Sequence, residues 1–262
     1  MDKPVLLVKC GLFLFNFNEK GELLMTTGLA YFKKVYGVVP GWVQKMHDYN
    51  PAMLDHYTAL RGAAMAPGAL SVKEKDILLV GINAARYYAR SMVYHTKGAV
   101  DGGATLEELI EYLLVAFNYG GERALQLGLQ SFEYALELTN MDADKISHEA
   151  SAIDIVRYYS TFASTEKSEA YFEKLLSFLT ANDENALKQE LLNGNVVSTQ
   201  MKFILMTGIY TATLQNKETD DWAKKSRDVG VVEAELAELG YICLLTAGIP
   251  SWFELSDALI QK

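Results

Sequence analysis

Apolar residues recur at helical spacing through most of the chain, and polar caps open several of the runs. "SVKEKDILLVGINAA" sets Ser71 before an apolar stretch with Glu74 three residues on, a pairing in which each side chain can serve the other's backbone N–H. "TLEELIEYLLVAFNYGG" repeats the device with Thr105 and Glu108, and Gly120-Gly121 reads as the end of that helix. "SWFELSDALIQK" offers Ser251 and Glu254 in the same way. Pro40, Pro51 and Pro67 punctuate the first third, which predicts helices near 27–37, 41–49 and 52–65. No period-two ladder of apolar positions stands out beyond the N-terminal arm, so the predicted fold class is all-α.

The pattern also repeats. Shifted by 127 residues, "LSVKEKDILLVGINAA" falls on "VSTQMKFILMTGIYTA", and "KGAVDGGATLEELIE" falls on the segment opening at Lys224. Ser71/Ser198, Lys75/Lys202, Gly81/Gly208, Gly103/Gly230, Glu108/Glu235 and Gly121/Gly248 all match. Turn glycines coincide as well as apolar positions, which helical similarity alone does not demand. The period is that of a doubled domain and too long for a solenoid. The expected organisation is an N-terminal arm (1–25), a first repeat (26–145) and a degenerate second repeat (146–262), the two packed as a pseudo-dimer. The join lies where "NMDADKISHEASA" loses apolar periodicity.

Composition narrows the function classes. Half of the 262 residues are apolar and only five are proline, as suits a helical globule large enough to bury a core. A net charge of −9, with basic residues scattered, predicts no nucleic-acid partner. The apolar start "MDKPVLLVKCGLFLFNFNEK" is interrupted by Lys9, has a weak basic flank and is too short to span a bilayer, so neither a targeting segment nor a membrane anchor is expected. It reads instead as an arm packed on the domain or on a neighbouring subunit. Cys10 and Cys243 stand far apart in no metal-like or C-x-x-C spacing, which predicts a reducing, cytoplasmic home. His47, His56 and His148 are isolated in sequence, and neither a metal nor a cofactor is expected.

The stretch "ALSVKEKDILLVGINAARYYARSMVYHTKGAVDGGATLEELIEYLLVAFNYGG", with "GVVPGWVQKMHDYNPAMLDHYTALRGAAM" before it, resembles the carboxymuconolactone decarboxylase / alkylhydroperoxidase D-like family. The resemblance covers roughly 35 to 130 and, more weakly, 165 to 250. It implies an all-helical subunit that assembles into trimers or hexamers, here a homotrimer, with a pocket between helices. The peroxidase branch of that family carries Glu, a Cys-x-x-Cys pair and His. Carried over by position, the acid falls on Asp76, the thiols on Tyr88 and Ser91, and the imidazole on His95. Thiol–disulfide chemistry needs a thiolate and a resolving thiol, and neither tyrosine nor serine supplies one. The remainder is closer to the decarboxylase branch, which keeps the histidine without the pair.

Apart from any family, Tyr88, Ser91 and His95 fall at i, i+3 and i+7, joined by Met92, and would share one helical face. An imidazole is the side chain suited to moving protons near neutral pH. The candidate catalytic residues are therefore His95 and Asp76. The orienting role of Asp76 comes from the resemblance alone. Tyr88, Ser91 and Met92 are the candidate substrate contacts. Set against this, His95 can be a buried histidine satisfied by a neighbour, Tyr88 a packing aromatic and Asp76 a helix–helix contact. Ser91 lacks a nucleophile elbow, which argues against a serine hydrolase. At the equivalent positions the second repeat carries Phe203, Gln215, Glu218 and Trp222, so the polar set does not recur. Acid–base chemistry on a small organic acid, lactone or carbonyl compound is the leading expectation. A peroxidase-like antioxidant protein and a non-catalytic oligomeric metabolite-binding protein are the alternatives.

Overall fold

The caps read at Ser71 and Thr105 hold in the structure, a computed structural model that describes residues 27–260 and four two-residue strands ahead of them. Those strands pair antiparallel: β1 (Lys9–Cys10) with β2 (Phe13–Leu14), and β3 (Asn16–Phe17) with β4 (Leu23–Leu24). The expected packing of the arm (1–25) lies outside the described residues. Every residue from 27 to 260 is helical or loop, an all-α fold. Two compact units are present, 1–67 and 68–262.

In the first unit, α1 (Gly28–Tyr36), α2 (Gly41–Tyr49) and α3 (Pro51–Met65) match the helices that the prolines predicted. Pro51 sits in the first turn of α3, where a missing N–H costs nothing, and Asn50 caps it by accepting from Met53 N. Phe32, Val43 and Leu54 are fully buried, with Trp42 and Tyr57 packed around them. Arg61 reaches into this cluster and donates to the hydroxyls of Tyr31 and Tyr36 at 2.8 and 3.1 Å.

The second unit begins with α4 (Val72–Ala85), whose capping box of Ser71 and Glu74 is complete. Next come α5 (Ala89–Asp101) and α6 (Leu106–Leu138), the latter opened by the Thr105–Glu108 box. After the non-helical stretch 140–150 follow α7 (Ala152–Ser160), α8 (Glu166–Ala181) and α9 (Glu184–Leu192). The unit ends with α10 (Thr199–Ala212), α11 (Asn216–Asp228), α12 (Glu233–Ala247) and α13 (Ile249–Ala258).

One expectation holds and another needs correction. Gly121 leaves the helical region (φ 63°, ψ −162°) and ends the helix that Thr105 opens, as expected, and a second helical segment follows at once across the kink and runs to Leu138. The apolar positions Leu125, Leu129, Phe132 and Leu136 continue the buried stripe and sustain it. Ser251 is no N-cap, because α13 already begins at Ile249, and its hydroxyl donates back to Gly248 O at 2.8 Å.

The 127-residue shift holds element by element. Helix α4 starts at 72 and α10 at 199, α5 at 89 and α11 at 216, α6 at 106 and α12 at 233. Three pairs of residues with positive φ obey the same shift: Tyr87 and Leu214, Gly103 and Gly230, Gly121 and Gly248. Contacts between the halves are reciprocal, as in a two-fold interface. Lys75 pairs with Glu238 at 2.8 Å, and its equivalent Lys202 pairs with Glu111, the equivalent of Glu238, at 2.7 Å. Glu238 accepts from the N–H groups of Ala69 and Leu70, and Glu111 from those of Val196 and Val197. Helices α4 and α10 meet where they lack side chains: a Cβ on Gly81 would lie 2.8 Å from Leu205, and one on Gly208 2.8 Å from Ile82.

Candidate active site

The site grows from the N-terminal half of α4 and from α5. Every residue of α4 from Lys75 to Ala85 is buried, so Asp76 is carried into the protein by a helix with no solvent face along that length. The chain turns through Tyr87, held in the left-handed region at φ 59°, and re-enters helix at Ala89. Helix α5 then runs back along α4. Its position against α6 is fixed one residue past His95, where the Thr96 hydroxyl donates to Ser131 Oγ at 2.8 Å.

This geometry brings together two of the candidates. His95 Nδ1 lies 2.7 Å from Asp76 Oδ1, with the two side chains 10% and 8% exposed. A carboxylate only accepts, so Nδ1 carries the proton and donates. That leaves Nε2, which has no hydrogen-bond partner among the described residues, as the nitrogen open to a ligand. A neutral imidazole held in this tautomer takes a proton at Nε2, and the adjacent carboxylate stabilises the cation that results.

The remaining candidates are placed differently. Ser91, one turn before His95 on α5, accepts from Asn83 Nδ2 at 3.3 Å. Met92 is fully buried. Tyr88 stands before the helix with non-helical backbone (φ −109°, ψ 71°) and is 47% exposed. A helical face counted from Tyr88 therefore does not exist, whereas Ser91 and His95 do share one. Asn83 extends the polar line across the halves, its Oδ1 accepting from Thr246 Oγ1 at 2.6 Å, while Arg86 donates to Thr246 O at 3.0 Å. Asn83 and Thr246 carry no sequence motif; only the fold joins them to Ser91.

Gly98 was not singled out in the sequence, although a glycine inside a helix is a readable signal. A Cβ there would lie 2.3 Å from Asp76 Oδ2. In the second half the positions of Asp76, His95 and Gly98 hold Phe203, Trp222 and Lys225. These form an edge-on aromatic pair at 5.3 Å, with the Lys225 ammonium 4.4 Å over the Trp222 ring. A ring pair capped by a cation fills the place of the acid and the imidazole.

A cleft of about 390 Å³ lies at the kink of α6, lined among others by Phe117, Glu122, Phe178 and Lys188, and shares no residue with the Asp76–His95 pair. Cys243 is sealed in α12, where burial pushes its thiol up to about 12 against a weaker opposing pull from Arg86. Burial and that shift both disfavour the thiolate that peroxide chemistry requires. Among the described residues no helix is long and apolar enough to cross a membrane.

Residues 51–133, a stretch that holds Asp76, Tyr88, Ser91, Met92 and His95, match the model of the Carboxymuconolactone decarboxylase family. A solved structure from Burkholderia xenovorans LB400, provisionally named a gamma-carboxymuconolactone decarboxylase subunit, is 17% identical with a TM-score of 0.55. That similarity covers 87% of this chain and 93% of the other, and it shows a shared fold. A second from the same organism, provisionally named a carboxymuconolactone decarboxylase, is 25% identical over 43% of this chain and 89% of its own length, with a TM-score of 0.40. No curated protein sequence matches the chain.

Proposed function

We propose that the chain is a carboxymuconolactone decarboxylase-like acid–base enzyme acting on a small organic acid, lactone or enolisable carbonyl compound. In this reading His95 Nε2 moves the proton and Asp76 holds the ring. The 2.7 Å Asp76–His95 contact in a buried setting carries the proposal. The family match over 51–133 supports it, since both residues lie inside that segment. Ser91 supplies a hydroxyl on the same face of α5, and Met92 shapes the apolar wall beneath it. The first half alone carries the chemistry, and the second serves as its packing partner. The same reading takes the protein to be a cytoplasmic homotrimer whose six half-chains stand where a hexamer of single repeats would have six subunits.

The test is turnover of a panel of γ-lactone carboxylic acids and β,γ-unsaturated acids, followed by CO2 release and by ultraviolet absorbance. His95→Gln is expected to lower kcat/KM by about 10²–10⁴-fold, the usual worth of a positioned proton-transfer group. Turnover that survives His95→Gln undiminished refutes the assignment. Peroxide consumption supported by a dithiol, abolished by Cys10→Ser, would favour the antioxidant reading instead. Ligand binding without turnover by the wild type would favour a metabolite-binding protein. Light scattering after size-exclusion chromatography checks the trimer.

A further inference from the structure

We infer that Gly98 is a positioning residue for His95, because the missing side chain at this point of α5 is what lets the short carboxylate of Asp76 reach the imidazole. The inference deepens the proposed site, but its structural test stands whether or not the site turns over a substrate. Asp76 bridges two adjacent turns of α5. Its Oδ1 meets His95 Nδ1 at 2.7 Å, and a Cβ on Gly98 would sit 2.3 Å from Oδ2 and 2.5 Å from Cγ. Real Cβ contacts do not occur below 3.0 Å, so a methyl group there and the carboxylate cannot both keep their places.

Both partners are constrained. Asp76 lies on the fully buried stretch of α4, its side chain is only 8% exposed, and turning its carboxylate away from Gly98 would also take it from His95. Helix α5 is tied on its other side by the Thr96–Ser131 hydrogen bond. Glycine in a helix interior is otherwise unfavourable relative to alanine. Its presence one turn beyond His95 therefore has a physical reason in the acid that fills the space. The second half makes the same point in reverse. Where Phe203 and Trp222 replace the acid and the imidazole, position 98 is matched by Lys225, whose long side chain lies over the indole.

The experiment compares Gly98→Ala, Asp76→Ala and the double variant in the full-length protein, with two readouts. The first is the Nδ1–H proton of His95 in ¹H–¹⁵N spectra, assigned by its loss in His95→Gln. It is expected downfield and slow to exchange in the wild type, and absent in all three variants. The second is Tm. Gly98→Ala is expected to lower it in the wild-type background and to leave it unchanged or raise it in the Asp76→Ala background, where the obstacle is gone and alanine is the better helix former. If Gly98→Ala alone does not fold, the double variant decides, because it folds only if Asp76 was the obstacle. The inference is overturned if the Nδ1–H signal persists in Gly98→Ala, if the wild type lacks it, or if Gly98→Ala is equally destabilising in both backgrounds. A retained signal pattern with no turnover on any substrate would count against the proposed function and leave the positioning role standing.

Discussion

The buried pair between Glu111 and Lys202 is where the packing of the two halves is most exposed to a single change. Both side chains are sealed, at 2% and 1% exposure, and Glu111 accepts from Asn195 Nδ2 and the N–H groups of Val196 and Val197 besides Lys202. Glu111→Gln keeps the shape and removes the charge, leaving the Lys202 ammonium in a dry setting with Tyr171 and the Asn193 carbonyl as its remaining hydrogen-bond partners and Glu190 as the carboxylate still acting on it. Breaking one side of such a pair costs about 3–5 kcal/mol, against a total stability of about 5–15 kcal/mol for a folded protein. For a chain of this size 1 kcal/mol moves Tm by about 2–4 °C, so the expected fall is on the order of 10 °C. The two-fold counterpart, Glu238→Gln, is expected to cost less, because Glu238 is 18% exposed and water can screen Lys75. Glu111→Met with Lys202→Met is expected to recover part of the loss, the three stranded N–H donors withholding the rest at roughly 1 kcal/mol or more each. Urea unfolding with a check for coincident transitions by two probes measures all four proteins. If Glu111→Gln lies within about 1 kcal/mol of wild type, the pair is not dry and the reciprocal packing contributes little.

Three further outcomes are expected. Gly121→Ala should destabilise by about 1–3 kcal/mol, since φ 63° with ψ −162° is a region only glycine enters freely, and chemical denaturation measures it. In Glu238, burial acts to raise the carboxyl, but the hydrogen bonds from Lys75 and from the N–H groups of Ala69 and Leu70 prevail and hold it below 4.5. Its contribution to stability is then full above pH 4.5 and lost as pH falls through the folded value, so Glu238→Gln should flatten the acid limb of the Tm–pH curve. In a Cys10→Ser background, Cys243 should resist a thiol reagent at pH 8 until the protein is unfolded, because it is sealed and protonated there.

The helices were legible because their signals are local: a cap with its reciprocal glutamate, a proline at a boundary, an apolar stripe. The repeat was legible for a different reason, since glycines at Gly103/Gly230 and Gly121/Gly248 mark left-handed backbone that few other residues tolerate. What pattern could not supply was contact across elements. Spacing placed Tyr88 on a face with His95, yet the helix begins one residue later and Tyr88 turns outward. Asp76 and His95 are nineteen residues apart on separate helices, and only the turn at Tyr87 lays one helix back on the other. Asn83, Thr246 and Gly98 matter through partners distant in sequence, which a linear reading does not bring together. Gly120-Gly121 did mark the end of a helix; what the pair could not announce is that a second helical segment follows at once across the kink, carried by the apolar stripe beyond it.

Proton exchange at carbon tests the central claim most directly, because it asks for acid–base work without requiring a complete turnover. Enolisable carboxylic acids and lactones are incubated in D2O with wild-type protein, His95→Gln and Trp222→Phe, and deuterium uptake is followed by NMR. Wash-in catalysed by the wild type, unchanged in Trp222→Phe and about 10²-fold or more slower in His95→Gln, is the predicted result. Wash-in that persists in His95→Gln, or that fails in Trp222→Phe while His95→Gln retains it, would contradict the claim that the first half alone moves the proton.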